Sequence, residues 1–491
     1  MTDDIQLAMQ KLGVNRLLIA SSSEPYLHYY HGGIAKGRGA AGGVATAFDS
    51  LLQATDGTWI ALGLGSADKD TVDKNNRVRV PPENPKYTLR RVFITKKQEE
   101  GFLSESSNSA LWPLSHNAYV RPHFQLDAWE QYREVNRLMA EAIATEADDQ
   151  TLVWINDYHL SLCAGYLKKI KPNIQTGFFW HIPWPAAEIF NILPWKKEIL
   201  EGLLQNDLIG FHTTTYAENF SQSVRRVLQT ESPSPVSKKT PTTGAQVRVI
   251  PIGIDEPSIR RIAKQTTPEK IKEIRAEYQA TDRKLIVGVD RMDYTKGITD
   301  KFKALDLLFT RRPDLLEKMT LVQIAAPSRI NLPEYAHCLA ETLETAEKIN
   351  WKYAIGNWQP IQLKNAFFPL SQIIPLYKTA DVCLVTSLQD GMNLVSKEFI
   401  AANPGNGSLV LSTFAGSSEE LGSAILVNPF LPEDIANGIE QALAMDENEK
   451  KTRMNEMKKI VADNNVFTWA TSFMHQLLEP KPPHHANPHH Q

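Results

Sequence analysis

Two cationic side chains follow a predicted strand in the second half of the chain. Residues 285–289 (LIVGV) have the composition of a buried strand, and Arg291 and Lys296 come shortly after it. The planar guanidinium group of arginine can hold two phosphate oxygens, and a lysine adds a compact positive charge. The pair therefore indicates a site for a departing diphosphate, while two surface ion pairs remain the structural alternative.

A turn and a helix follow a second buried strand, residues 381–385 (DVCLV). Asp390 occupies the turn, and the apolar pattern predicts a helix that begins between Gly391 and Leu394. Free N–H groups and the positive end of the dipole at a helix N-terminus attract anions. Glu398 lies further along this helix, where its carboxylate can accept hydrogen bonds from ribose hydroxyls, and Asp390 can hold sugar hydroxyls. An N-cap aspartate or a solvated glutamate would explain either acid alone.

Polar side chains also end two predicted strands of the first half. Residues 151–155 (TLVWI) lead to Asp157, and residues 176–180 (TGFFW) lead to His181. The prolines after the histidine disfavour helix and stiffen the loop, so the imidazole is held in place. A single histidine in such a position is more often structural than catalytic.

A glycine pair precedes a predicted helix near the N-terminus. Residues 16–20 (RLLIA) are predicted to lead into a loop that contains Lys36 and Arg38 and ends at Gly42 and Gly43. Glycine lets the backbone approach a phosphate closely, and the helix that follows offers its N-terminus. By itself this pattern does not distinguish an anion site from an ordinary helix start.

Short apolar runs with strand character alternate with helical patterns along the chain. Besides the five named above, they are TWIAL, DLIGF, VRVIP, LVQIA, LVLST and AILVN. This alternation predicts an α/β protein with parallel sheets between helices, in which ligands bind at the carboxyl ends of the strands. The chain has 491 residues, enough for two or more domains. The predicted seam is the Ser/Thr/Pro/Lys-rich stretch and the strand that follows it, residues 230–256.

Composition argues against several classes of function. With 53 basic and 56 acidic side chains the net charge is -3, so no overall basic field attracts nucleic acid. Three scattered cysteines and an N-terminus without a signal-peptide pattern indicate a reduced, cytoplasmic protein. No run of about eighteen apolar residues predicts a membrane span. The histidine- and proline-rich residues 480–491 are predicted to form a disordered tail.

An ordered set of motifs extends over most of the chain. It comprises AGGVATA, SALWPLSH, VWINDYHL, FFWHIPWP, EIFNILPW, DLIGFHT, VIPIGID, DRMDYTKG, APSR, DGMNLVSKEF and STFAGSSEEL. From about residue 16 to residue 470 the chain resembles the trehalose-6-phosphate synthase family, which also includes the glucosylglycerol-phosphate synthases. The resemblance implies two Rossmann-like domains that face each other across a cleft, the GT-B type of glycosyltransferase fold. It also implies that no metal or other cofactor is needed.

The resemblance further implies a division of the chain. Residues 1–250 would form an N-terminal acceptor-binding domain, and residues 251–464 a nucleotide-sugar-binding domain. Residues 465–479 would form a final helix that crosses back to the first domain. A fused phosphatase would need another domain of about 200 residues after the nucleotide-sugar-binding domain. The sequence after that domain is much shorter, so no phosphatase domain is expected.

Site residues carry over from the motifs of this family. Arg291 and Lys296 would clamp the diphosphate, His181 would contact the glucose and the reacting centre, and Asp390 would hold glucose hydroxyls. The remaining donor contacts would come from Gly43, Met392, Asn393, Leu394, Val395 and Glu398. The acceptor would contact Asp157, Trp112 and Arg329. Such retaining enzymes use no protein nucleophile: the leaving phosphate accepts the acceptor proton on the face where the old bond breaks, and the cations stabilise the developing charge.

The departures from the family pattern lie on the acceptor side. Ser23 stands where the family has an arginine for the acceptor phosphate, and Leu62 and Leu103 replace a tryptophan and a tyrosine. Losing one charge-assisted contact, worth roughly 1.5 to 3 kcal/mol, would weaken acceptor binding about tenfold to a hundredfold. The expected reaction is transfer of glucose from UDP-glucose or another NDP-glucose to glucose 6-phosphate. Two alternatives stay open: the same transfer to glycerol 3-phosphate, and an inactive sugar-nucleotide sensor. The sequence also leaves open which base the donor nucleotide carries and whether the protein is a homo-oligomer.

Overall fold

The computed structural model describes residues 2–39, 43–228 and 245–479 of the chain. Gly42, residues 230–244 of the predicted seam and the predicted tail lie outside the described residues. The strands are β1 Arg16–Ala20, β2 Tyr26–His31, β3 Ile34–Gly39, β4 Thr58–Leu62, β5 Arg77–Val80, β6 Tyr87–Val92, β7 Thr151–Asn156, β8 Thr176–Phe179, β9 Leu208–Phe211, β10 Gln246–Val249, β11 Lys284–Arg291, β12 Met319–Ala326, β13 Ile361–Lys364, β14 Val382–Val385, β15 Ser408–Ser412 and β16 Ile425–Val427.

Helices connect and cover these strands. A π-helical segment, Glu100–Leu111, directly precedes the α-helix that begins at Trp112. The α-helices are α1 Thr2–Lys11, α2 Gly43–Thr55, α3 Lys96–Glu99, α4 Trp112–Ser115, α5 Leu126–Glu146, α6 Cys163–Ile170, α7 Ala187–Phe190, α8 Lys196–Leu203, α9 Thr214–Leu228, α10 Glu256–Gln265, α11 Pro268–Glu277, α12 Ile298–Arg311, α13 Pro333–Tyr353, α14 Leu370–Thr379, α15 Leu394–Ala402, α16 Pro432–Ala444, α17 Glu447–Asp463 and α18 Val466–Leu478.

The first sheet has the strand order β10-β9-β8-β7-β1-β4-β6-β5. Neighbouring strands are parallel except for the antiparallel pair β5 and β6. The central strands β4 and β7 are buried along their whole length, as expected for a parallel sheet with helices on both faces. Successive strands are added on one side of β1 up to β6 and on its other side from β7 onward, so the loops after β1 and β7 diverge and leave a crevice at the sheet edge.

The second sheet is parallel throughout, in the order β13-β12-β11-β14-β15-β16. The strand order reverses between β11 and β14, and ligands bind at this kind of position in open α/β sheets. Arg291 ends β11, and Asp390 lies in the loop after β14. The topology therefore brings the two predicted donor segments to one crevice.

A β-hairpin occupies the segment that we predicted to be a loop after the first strand. Strands β2 and β3 pair antiparallel, and Gly32 and Gly33 turn between them with φ of 59° and 77°. The loop prediction for Lys36 and Arg38 was therefore wrong, because both lie on β3 with exposed side chains. A Gly-Gly pair between two runs of similar length is a hairpin signal, since such tight turns need positive φ.

The last helix, α18, packs against the first sheet. The rings of Trp154 and Phe473 stack with centroids 3.8 Å apart, and Trp469 Nε1 donates to Ile250 O at 3.1 Å. A Cβ on Gly177 would lie 2.6 Å from the Phe473 ring. We call the described residues up to 250, together with α18, the first lobe, and residues 251–465 the second lobe.

Candidate active site

The two lobes touch where the loops after β8 and β14 meet. A side chain on Gly391, of the second lobe, would place its Cβ 2.0 Å from the carbonyl oxygen of His181, of the first lobe. Beside this contact, the Tyr216 hydroxyl donates to Asp390 O at 3.2 Å. The predicted histidine and the predicted donor turn are therefore in direct contact, and only glycine fits at that point.

Lys296 and Asp390 form a largely buried ion pair at the carboxyl edge of the second sheet. Lys296 Nζ donates to Asp390 Oδ2, which also accepts from Asn393 Nδ2 at 3.1 Å. Burial alone would raise the pKa of Asp390, but the charge of Lys296 and these hydrogen bonds hold it below the ordinary value. The aspartate is therefore ionised, and the cation predicted to bind diphosphate already faces an anion.

Arg291 lies at the same edge with 44% of its side chain exposed. Its Nη2 lies 3.6 Å from Asp293 Oδ2, and its guanidinium carbon lies 5.2 Å from the centre of the Trp112 ring. Asp293 is fully buried and accepts hydrogen bonds from Thr295 through Oδ1, whereas its Oδ2 has no hydrogen-bond partner among the described residues. The arginine therefore rests between a carboxylate and an aromatic face while its donors stay accessible to a ligand.

The helix α15 begins where the sequence predicted an anion site. Asn393 caps this helix: it has φ of 75° and its side-chain oxygen accepts from Ser396 N at 3.0 Å. The backbone before it is held by Ser417 N, which donates to Met392 O at 2.7 Å. A Cβ on Gly43 would lie 2.4 Å from Leu394 Cδ1, so this glycine of the first lobe faces the segment Met392 to Val395 of the second.

Glu398 lies on α15 with 8% of its surface exposed. No hydrogen bond or ion pair to its carboxyl group is found among the residues the structure describes. Burial raises its pKa to about 8. A carboxyl group kept from water without a protein partner is unfavourable unless a ligand supplies the partner.

A hydrogen bond joins the side chain of Asp157 to the backbone N–H of His181 in the first lobe. Asp157 Oδ1 accepts from His181 N at 3.1 Å and from Tyr158 N at 3.0 Å, and its own φ is 69°. Burial raises its pKa to about 6, although these hydrogen bonds oppose the shift. Burial also lowers the pKa of His181 to about 3, so its imidazole is neutral near pH 7. A neutral imidazole can donate or accept a hydrogen bond but adds no charge.

Trp112 and Arg329, the two residues predicted to contact the acceptor beside Asp157, pack against each other across the two lobes. The guanidinium carbon of Arg329 lies 4.6 Å from the Trp112 ring centre, on the first lobe. Arg329 donates to the hydroxyl of Tyr335 at 2.6 Å and to that of Tyr158 at 3.4 Å. Neither tyrosine was predicted from the sequence to be a site residue. Tyr158 sits within the motif VWINDYHL, whereas nothing around Tyr335 marked it.

The three positions that depart from the family pattern lie in different environments. Ser23 is exposed, and its carbonyl accepts from Ser21 Oγ at 2.7 Å. Leu62 is 1% exposed within the core of the first lobe, and Leu103 packs against that core. Leu62 therefore offers no surface to an acceptor, and the open position is Ser23.

A buried cluster that contains Glu24, the residue after Ser23, was not predicted from the sequence. Arg91 is fully buried on β6, where Nε donates to Glu24 Oε2 at 2.7 Å and Nη2 lies 2.9 Å from Asp68 Oδ1. Burial raises the pKa of Glu24 to about 9, even though the charge of Arg91 opposes the shift. The cluster ties the loop after β1 to the sheet and so sets the position of Ser23.

The described residues also bear on metals and membranes. Within residues 2–39, 43–228 and 245–479, no group of three or more His, Cys, Asp or Glu side chains is arranged to hold a metal ion. No helix in this part of the chain has the length and apolar character needed to cross a membrane.

Residues 33–479 match the sequence profile of glycosyltransferase family 20. The chain belongs to this family. It is similar to the α,α-trehalose-phosphate synthase (UDP-forming) of Candida albicans, with 34% identity over 90% of this chain and 93% of the relative. The resemblance and the reaction class predicted from the motifs are therefore confirmed.

Solved structures agree with this family assignment. An E. coli structure with bound UDP-2-fluoro glucose has 31% identity and a TM-score of 0.83, covering 95% of this chain and 100% of that one. A Burkholderia xenovorans α,α-trehalose-phosphate synthase (UDP-forming) in complex with glucose-6-phosphate has 29% identity and a TM-score of 0.83, covering 94% and 99%. The predicted fold of two Rossmann-like sheets facing across a cleft, the GT-B type, is confirmed.

Proposed function

We propose that this glycosyltransferase transfers glucose from UDP-glucose to glucose 6-phosphate and forms α,α-trehalose 6-phosphate with retention at the sugar carbon. The observation that carries the proposal is that Lys296 pairs with Asp390, which also accepts from Asn393 at the start of α15, directly beside the contact of Gly391 with His181 of the other lobe. The names and ligands of the relatives, UDP-2-fluoro glucose and glucose-6-phosphate among them, support the choice of substrates.

The donor diphosphate binds at the edge of the second sheet. Arg291 holds it with donors that are accessible in the free protein, and Lys296 exchanges part of its contact with Asp390 for a phosphate oxygen. Asp390 is then available to accept hydrogen bonds from glucose hydroxyls. Glu398 accepts hydrogen bonds from the ribose, and the backbone of Met392 to Val395, opposite Gly43, contacts phosphate and sugar.

Transfer with retention needs no carboxylate nucleophile in this arrangement. The bond from the anomeric carbon to the diphosphate oxygen breaks as the bond to the acceptor hydroxyl oxygen forms on the same face. The hydroxyl proton passes to the leaving phosphate oxygen. Two cations and a helix terminus stabilise the charge that develops there, which in enzymes is often the largest catalytic contribution.

The acceptor binds between the lobes. Arg329 and Trp112 recognise its phosphate end, and Asp157 accepts hydrogen bonds from its hydroxyls. Ser23 in place of an arginine favours a second candidate, the same transfer to another phosphorylated acceptor such as glycerol 3-phosphate. An inactive sugar-nucleotide sensor is disfavoured by the intact cations and by the buried Glu398, whose carboxyl group has no partner among the described residues.

Our proposal extends to the organisation of the chain. Residues 1–250 form the acceptor-binding domain and residues 251–464 the nucleotide-sugar-binding domain, with residues 465–479 returning to the first. The reaction uses no metal or other cofactor, the substrates are small molecules, and the protein is cytoplasmic.

The decisive experiment offers the protein several nucleotide-glucoses together with a panel of sugar and polyol phosphates and identifies the products by mass. UDP-glucose and glucose 6-phosphate are expected to yield trehalose phosphate and UDP. A product from glycerol 3-phosphate alone would establish the second candidate. Binding of UDP-glucose without any product would point to the sensor. Lys296→Ala serves as the inactive control.

A further inference from the structure

Asn156 and His181 form a side-chain pair at the point where the two lobes touch. Asn156 Oδ1 lies 3.2 Å from His181 Nε2. The asparagine ends β7 and the histidine closely follows the neighbouring strand β8, with 2% and 8% of their surfaces exposed. Because the pair is shielded from water, it determines which ring nitrogen of the histidine carries the proton.

Two backbone carbonyl groups set the orientation of the asparagine amide. Asn156 Nδ2 lies 3.3 Å from Ala20 O and 3.4 Å from Trp154 O, and an amide nitrogen can donate to both. The reversed amide would place its oxygen against two carbonyl oxygens. Oδ1 therefore faces the imidazole, and because it can only accept, His181 Nε2 carries the hydrogen.

His181 Nδ1 is then a bare acceptor. It is buried and has no hydrogen-bond partner among the described residues. The ring is confined by Phe48, Phe179 and His212, whose ring centroids lie 6.0, 4.7 and 5.3 Å away. Asp157 holds the backbone N–H of the same histidine. Since buried polar atoms are normally paired, an unpaired acceptor fixed on a confined ring is suited to a hydrogen-bond donor of a ligand.

We propose that Asn156 is a positioning residue that fixes the Nε2-protonated form of His181 and leaves Nδ1 free to accept a hydrogen bond from a hydroxyl of the transferred sugar. This inference rests on the proposed function, which places glucose at His181. Asn156 itself touches no substrate. Its contribution is that the imidazole needs no tautomer change and no rotation when the donor binds, which is the kind of pre-organisation that a supporting residue supplies.

The first test reads the tautomer in the full-length free protein, so it does not depend on which product the enzyme makes. With ¹⁵N-labelled histidine, the spectrum of His181→Gln identifies the His181 signals by their loss. The wild type is expected to show a protonated Nε2 and an unprotonated Nδ1. A wild-type His181 protonated at Nδ1 would overturn the proposal, whatever the variants do. A missing glucosyl product would overturn the proposed function and leave the tautomer assignment in place.

The second test uses Asn156→Leu, which keeps the approximate size of the side chain and removes the acceptor. The His181 nitrogen signals should move toward a mixture of tautomers. We expect kcat to fall about tenfold, the equivalent of one hydrogen bond, with little change in the KM of glucose 6-phosphate. Unchanged nitrogen signals, or changed signals with wild-type kcat, would contradict the positioning role.

Two further variants separate positioning from folding. Asn156→Asp keeps an oxygen acceptor opposite Nε2, so its His181 Nε2 should stay protonated even if Asn156→Leu does not fold; loss of that proton would refute the assignment. Asn206→Ala is the matched control, because this asparagine is also buried in the first lobe and donates to a backbone carbonyl, Leu203 O, at 2.9 Å. It should leave the His181 signals and kcat at wild-type values.

Discussion

The charged partners of the two donor cations lie within one lobe, whereas the main contact of the acceptor side joins two lobes. Lys296 pairs with Asp390, and Arg291 with Asp293, all in the second lobe. Arg329 of the second lobe instead covers Trp112 of the first. Residues within one lobe keep their geometry when the lobes separate, but the contact between Arg329 and Trp112 exists only when they approach. The ion pairs of the donor cations should therefore persist when the lobes move, whereas the contact between Arg329 and Trp112 depends on lobe position. Gly43 and His181 of the first lobe complete the donor half only when the lobes meet.

The largest expected effect tests the donor half. Arg291→Ala and Lys296→Ala should each lower kcat on the order of a hundredfold or more at saturating donor, because both charges act on the departing diphosphate. Steady-state kinetics with UDP release as the readout measure this loss. Lys303→Ala removes an exposed cation of the same lobe, paired with Glu341 at 3.3 Å, and should leave kcat unchanged. Near-normal kcat in both single variants would remove the two cations from the catalytic machinery.

Replacing Arg329, in the acceptor half, should change the KM for the acceptor, whereas the donor cations affect kcat. Arg329→Ala should raise the KM for glucose 6-phosphate about thirtyfold, since one charge-assisted contact in a partly buried site is lost. The KM for UDP-glucose should change little. Arg329→Lys keeps the charge but loses the planar contact with Trp112, so it should recover only part of the affinity. An equal rise in both KM values would mean that the two halves are not separable.

Restoring an arginine at Ser23 tests the departure from the family pattern. If the wild type accepts glucose 6-phosphate, Ser23→Arg should tighten its binding about tenfold without altering donor affinity. Calorimetric titration of each substrate measures both values. Ser66→Arg adds the same charge at another exposed serine of the first lobe and should have no such effect. No trehalose phosphate from either the wild type or Ser23→Arg would show that the acceptor pocket fits another molecule.

A smaller effect is expected at Glu398, whose contacts to ribose do not change during the reaction. Glu398→Ala should raise the KM for UDP-glucose about fivefold and lower kcat less than that, the pattern of lost uniform binding. The same steady-state assay, with donor concentration varied, supplies both values. A defect confined to kcat would reject the ribose role.

The buried carboxyl of Glu398 also predicts a pH dependence of stability in the free protein. Its pKa is raised from 4.5 to about 8 by burial, so between these values the folded protein holds a proton that the unfolded chain has lost. Stability contributed by this group therefore falls as pH rises from about 5 to about 8. The melting temperature of Glu398→Gln minus that of the wild type should grow by about 2 to 4 °C over this range. A difference that is constant with pH would show that the carboxyl is not held neutral.

The sequence pattern predicted the strands whose residues are apolar. Each of the eleven strand-like runs coincides with a strand of the two sheets. Strands buried on both faces must be continuously apolar, which explains all of these runs except those of the partly exposed edge strands β10 and β16. Strand β6 (YTLRRV) was not predicted, because Arg91 in its interior interrupts the apolar pattern. A buried arginine is tolerated there because Glu24 and Asp68 pair with it, and those partners come from other parts of the chain.

The sequence by itself determined the family and the parallel α/β fold and predicted the donor residues, because an ordered set of motifs places charges directly after apolar strands, and parallel strands end at the same edge of a sheet. Only the tertiary structure decided that Lys296 pairs with Asp390, that Arg329 covers Trp112 and that Leu62 is sealed in the core. These contacts join residues from separate elements or from different lobes. Their geometry depends on how the sheets pack, and spacing along one chain carries no information about that packing.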